Sequence, residues 1–145
     1  MYATQKVAIG AIILGLTLPA LTAAQESALP QPKSEGAITY ISGGIGSDEV
    51  LAMKKEQSSY PLSMVFSEGK RGAYLADVHV TVRDRGGKVV LESDSSGPIM
   101  LVKLPPGEYR VTAELRGKAL HRSVKVLDKG NSHLSFNWPT DDKEG

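Results

Sequence analysis

Between Ala76 and Val126 the chain alternates apolar and polar residues in short runs, and turn-forming clusters separate the runs. Val78, Val80 and Val82 form one apolar row, and Tyr109, Val111, Ala113 and Leu115 form another. Leu120, Val124 and Val126 make a third. A period of two places each row on one face of a pleated strand, giving it a core side and a solvent side. Asp84-Arg85-Gly86-Gly87-Lys88, Ser93-Asp94-Ser95-Ser96-Gly97 and Arg116-Gly117-Lys118 carry the residues that reverse a chain. This spacing predicts a mainly β, antiparallel β-sandwich of about seven strands.

The most specific element is Leu104-Pro105-Pro106-Gly107-Glu108-Tyr109. Pro105 and Pro106 stop the preceding strand because neither donates to a ladder, and Gly107 lets the backbone reverse. Tyr109 then opens the next strand with its ring inward and its hydroxyl in reach of a loop carbonyl. Together with Ala76/Val78/Val80, Asp84/Gly87/Lys88 and Asp94/Gly97, this segment resembles the carboxypeptidase regulatory-like domains. Those are transthyretin-like (prealbumin-like), Ig-like sandwiches, and the resemblance runs from Ala73 to Leu127. It implies a binding or spacer module, since the peptidase activity in the name belongs to a neighbouring domain. On this reading Gly97, Pro105, Gly107 and Tyr109 are structural, and Phe136 and Trp138 are core residues of the last strand.

The amino-terminal residues read as an export signal. Lys6 supplies a positive start, Val7 to Leu18 is apolar but too short to span a bilayer, and Thr22-Ala23-Ala24 offers small residues for cleavage after Ala24. The expected product is periplasmic or secreted and has no membrane span. With no cysteine in the chain, disulfides, thiol chemistry and cysteine-based metal sites are excluded. Losing Lys6 with the signal leaves 16 basic and 16 acidic residues, a net charge of zero. Zero net charge gives no electrostatic case for nucleic acid or anionic lipid as a partner.

Residues 25–36 read as a polar linker. Residues 37–72 read as a strand–helix–strand addition with a loop, 73–138 as the sandwich and 139–145 as a flexible tail. In the addition, Ile38, Tyr40 and Ile41 mark a strand. Asp48 to Ser58 marks a helix with Ser47 as N-cap, acidic Asp48 and Glu49 first and basic Lys54 and Lys55 later, as the helix dipole prefers. Val50, Met53 and the adjacent Leu51 would form its apolar stripe; the rival to a recognition role for this element is that the helix merely caps one open end of the sandwich through Val50 and Met53. Leu62, Met64 and Phe66 mark the following strand, and Leu75 to Arg83 the longest one.

Few constellations carry chemistry. His79, His121 and His133 fall on three different predicted strands, each on the polar register, and would bind a metal only if the strands brought them together. Gly43-Gly44-Ile45-Gly46 ahead of a helix lacks the pattern of a phosphate loop, and Asp48 and Glu49 would repel a phosphate there. Asp94 is accounted for by a turn. Hydroxyisourate hydrolases, an enzyme class among transthyretin-like sandwiches, end in a Tyr-Arg-Gly-Ser-type signature. Trp138 to Gly145 does not carry it. The expected function is therefore non-catalytic binding or scaffolding in the bacterial envelope, without a cofactor, toward an envelope protein or polymer. Gly43, Gly44, Gly46, Lys54, Lys55, Lys70 and Arg71 are the candidate partner-binding residues, lying outside the family framework. The alternatives are a metal- or ligand-dependent hydrolase using the surface histidines, and a subunit docking through an uncovered sheet edge.

Overall fold

The computed structural model describes residue 15 and residues 28–140. Apart from Gly15, the expected signal and its cleavage site lie outside them, as do residues 25–27 and tail residues 141–145. The described chain forms β1 (Lys33–Glu35), β2 (Ile38–Gly43), α1 (Ser47–Glu56), a 3-10 turn (Gln57–Ser59), β3 (Leu62–Glu68) and β4 (Ala73–Tyr74). There follow β5 (His79–Asp84), β6 (Val89–Asp94), β7 (Ile99–Lys103), β8 (Gly107–Leu115), β9 (Lys118–Val126) and β10 (Ser132–Trp138). These strands build two sheets, a β-sandwich. One runs β1-β2-β7-β3-β10 with β4 attached to β3; the other runs β6-β5-β8-β9. All pairings are antiparallel except β3 with β10, which lie parallel.

The alternating rows face one another across a single core. Leu62, Met64, Phe66, Met100, Val102, Phe136 and Trp138 from one sheet meet Val80, Val82, Leu91, Val111 and Ala113 from the other. Each fully buried side chain of this size stabilises by about 1.5–3 kcal/mol. The Phe66 and Phe136 centroids lie 5.7 Å apart, and Trp138 packs 6.3 Å from Phe136. The indole N–H of Trp138 donates to the Lys118 carbonyl at 2.9 Å, tying the two sheets together. Ser132 Oγ donates to the Lys125 carbonyl at 2.9 Å at the other end of β9. Arg122 takes an inward position on β9 and lies 5.5 Å over the Phe136 ring, closing the open side with its apolar stem.

The region read as an addition belongs to the sandwich. β2 and β3 flank β7, so a boundary at 72/73 divides one hydrogen-bonded sheet. The helix lies over the outer face of that sheet instead of capping an end. Met53 packs with Ile41, Tyr60, Ile99 and Leu101, which point away from the main core, and Val50, Val65 and Leu29 complete the cluster. Strands buried on both faces read as continuous apolar runs, which explains Ile99-Met100-Leu101-Val102. Leu51 is on the far side of α1 and is 58% exposed.

Other expectations change in detail. Part of the polar linker is β1, which pairs with β2. Asp77, at φ 60, breaks the long predicted strand, so β5 begins at His79. Ser47 is already helical; Gly46 is the N-cap, and no side-chain cap bond forms there. Glu49 instead ties down the segment ahead of the helix, its Oε1 accepting the Gly44 N–H at 2.8 Å and the Ile45 N–H at 3.4 Å. Asp94 ends β6, and it is Ser95 that makes the turn. Its Oγ accepts the Val78 N–H at 3.0 Å and its own N–H donates to the Val78 carbonyl at 2.8 Å.

Candidate functional site

Among the described residues no element covers the outer face of the β6-β5-β8-β9 sheet, and its charges are sorted. At one end His79 of β5 lies between Asp94 and Glu92 of β6, with Nδ1 2.7 Å from Asp94 Oδ1 and Nε2 2.9 Å from Glu92 Oε1. The Asp94 bond, then the Glu92 bond, hold the imidazole pKa above its ordinary value. Glu114 is the register partner of His79 on β8. At the other end Arg83, Arg110 and Ser123 form one row across β5, β8 and β9. Arg85, Glu108 and Lys125 lie beyond it, and together these side chains enclose an open trough of about 620 Å³.

Local sequence builds this trough. Gly87 adopts φ 86 in the tight β5–β6 turn, which no β-branched residue would accept there. Asp84 closes the turn, its Oδ1 accepting the Lys88 N–H at 3.0 Å while its own N–H donates to the Lys88 carbonyl at 2.9 Å. A bulge between Val82 and Arg83 shifts the register of β5 against β6, a device that re-aims a side chain. The Arg83 guanidinium donates to the Gly87 carbonyl at 3.1 Å, and Arg85 faces Glu108 at 3.8 Å. Below the strand start, the Tyr109 hydroxyl donates to the Pro105 carbonyl at 2.7 Å, the loop bond expected from sequence. The Tyr109 ring is half-buried, and burial raises its phenol pKa, with Asp84 adding to the effect. Gly107 opens β8 at φ 158, a backbone conformation that residues with a side chain rarely adopt.

The glycine segment has structural work. A Cβ on Gly97 would collide with the Gly43 carbonyl, and one on Gly43 would collide with the Glu49 carboxylate and the Pro30 ring. Gly44 and Gly46 sit at φ 100 and φ 85. The Gly44 amide is already bonded to Glu49. Lys54 and Lys55 are exposed on α1, which leads into the start of β3. Lys70 and Arg71 are exposed on the turn beyond its end. Seven strand residues, about 20 Å, separate the two pairs, so these cations do not make one surface.

The histidines do not converge. His79 and His121 share the bare face but lie two strands and two residues apart, about 12 Å. His133 is on the outer face of the other sheet. Its Nδ1 lies 2.8 Å from Ser63 Oγ, a spacing that a nucleophile–base pair would need. Ser63, however, is 1% exposed and also receives the Gln57 amide at 3.0 Å, so substrate has no path to its oxygen. Among the described residues no group of three or more His, Asp or Glu is arranged to hold a metal ion. Nor is any described helix long and apolar enough to cross a membrane. Large exposed apolar residues (Ile45, Leu51, Tyr74, Leu127) are scattered, and both edges of the bare sheet are partly occupied. The Glu92 N–H donates to Glu35 Oε2 at 2.7 Å, and the His121 carbonyl accepts from Arg122 at 2.9 Å.

Sequence reasoning missed the trough because its residues lie within the family-like framework. The signal was present as cations at alternating outward positions (Arg83, Arg85; Arg110; Lys125), but it needed the strand order to become a cluster. No protein-family profile matches the chain, and no curated protein does. Among solved structures, the Bacillus anthracis TIE protein is similar over 55% of this chain and 16% of that one, at 14% identity and a TM-score of 0.35. A similarity this faint supports no functional argument.

Proposed function

We propose that this is an exported, non-catalytic binding module of the bacterial envelope, of the carboxypeptidase regulatory-like kind, that recognises an anionic partner through the outer face of its β6-β5-β8-β9 sheet. One observation carries the reading: the trough gathers four cations against two carboxylates on a rigid sheet, in a chain whose net charge is near zero. Cations concentrated in a concavity steer and hold an anionic partner even when the whole molecule is neutral. The turn set around Asp84, Ser95 and Leu104 to Tyr109 supports the family, and the Val7 to Leu18 run supports export with cleavage after Ala24.

Capture from an envelope fraction tests it. Wild type should retain an envelope component that Arg83→Glu/Arg110→Glu loses, with no turnover of the retained material. Equal retention by both proteins, or hydrolysis abolished by substituting any histidine, would contradict the reading. Intact mass of the exported protein checks the cleavage site.

A further inference from the structure

Arg83 and Arg110 are register partners on adjacent antiparallel strands, so their Cα atoms stand about 4.5–5.5 Å apart on one face. Like charges placed directly opposite destabilise a ladder. Neither guanidinium has a carboxylate partner, since the basic partners in the ion pairs among the described residues are His79, Arg85 and Arg116. The nearest carboxylates are committed elsewhere, Asp84 to the Lys88 amide and Glu108 to Arg85. Lys125, whose register partner is Glu108, adds a third cation that forms no ion pair among the described residues, and Ser123, the register partner of Arg110, adds a hydroxyl. Local rules broken in this way, beside a bulge and over a hollow, are features of a binding site.

The charge count selects the ligand. A single carboxylate brings one charge and fills one guanidinium fork. A phosphate monoester brings close to two charges and three terminal oxygens, enough for two forks and an ammonium. We propose that the trough binds the terminal phosphate of a phosphorylated ligand. Arg83 and Arg110 grip it from neighbouring strands, Lys125 adds charge and Ser123 donates its hydroxyl. This rests on the binding-module reading and names its ligand chemistry. A soluble phosphate ester and a phospholipid headgroup present the same group, and the test separates them.

Titration calorimetry of the purified protein at low ionic strength would compare inorganic phosphate and glycerol 3-phosphate with acetate. Vesicle sedimentation would compare phosphatidic acid in phosphatidylcholine with phosphatidylcholine alone. The phosphate probes should bind at least about tenfold more tightly than acetate, and Arg83→Gln or Arg110→Gln should each weaken them at least about tenfold. The thermal midpoint of Arg110→Gln should stay level or rise, because a repulsion has gone, whereas Arg83→Gln also loses the bond to the Gly87 carbonyl; Lys54→Gln should change neither property. Sedimentation with phosphatidic acid assigns the lipid source, and binding of the soluble esters alone assigns the soluble one. Equal affinity for acetate, no phosphate binding, or indifference to both arginine substitutions overturns the proposal. If phosphate fails while Arg83→Glu/Arg110→Glu still abolishes capture, the ligand chemistry falls and the binding module stands.

Discussion

One sheet of this sandwich hides its outer face beneath α1, with Met53 set among Ile41, Ile99 and Leu101. The other leaves Glu92, Asp94, His79, Glu114, Arg83, Arg110 and Lys125 facing solvent. Both bury their inner faces in the same core, so the difference between them is not needed to close the sandwich. The helix-covered sheet spends its residues on stability. On the open sheet the outward positions are free of packing, and charge can be arranged there without disturbing the core. The proposed function therefore rests on the open sheet.

The comparison can be broken most forcefully at the core and on the covered side. Trp138→Ala should cost about 3–5 kcal/mol by denaturant titration, because the ring fills the core and its N–H bridges the sheets. Native tryptophan emission should be blue-shifted; emission at the solvent value before unfolding would place Trp138 outside. Gly97→Val should cost about 3 kcal/mol, since its side chain must displace the Gly43 backbone. Met53→Ala should cost about 2–3 kcal/mol, and an unchanged midpoint would mean that α1 does not cover the sheet. Tyr109→Phe should cost about 1 kcal/mol for the bond to Pro105. The half-buried ring makes Tyr109→Ala milder than a fully buried aromatic truncation.

Most of the architecture was legible because alternation is a local property. Val78 to Val82, Tyr109 to Leu115 and Leu134 to Trp138 state which residues face in, and the turn clusters state where the chain reverses. What was not legible depends on which strands become neighbours. The run Ile99 to Val102 signals burial on two sides, but only the topology shows that α1 supplies the second cover. β1 was hidden in a polar, proline-flanked segment whose pairing comes from β2. The glycines before α1 suggested recognition, and their need arises from the close passage of Gly43 against Gly97. The cations at 54, 55, 70 and 71 looked like one set in sequence and fall at opposite ends of β3. The trough shows the reverse, bringing together Arg83 of β5, Arg110 of β8 and Lys125 of β9, which are far apart in sequence.

Smaller effects belong to the open face. Arg110→Gln should leave stability unchanged or raise it by about 0.5 kcal/mol or less as the Arg83 repulsion is relieved. At the other end, the raised pKa of His79 means that the folded state holds its proton more tightly than the unfolded chain does. That contribution is complete below the ordinary value of 6.5 and is lost as pH rises through the raised value. The thermal midpoint should therefore drift down slightly over that window, and His79→Gln should flatten the drift.

On the proposed function the open sheet, and not the helix side, meets the partner. Chemical-shift mapping of isotopically labelled protein titrated with a soluble envelope extract tests it directly. Shifts should concentrate at Arg83, Arg110, Ser123 and Lys125. Shifts confined to Gly44 to Glu56, with the open sheet silent, would contradict it.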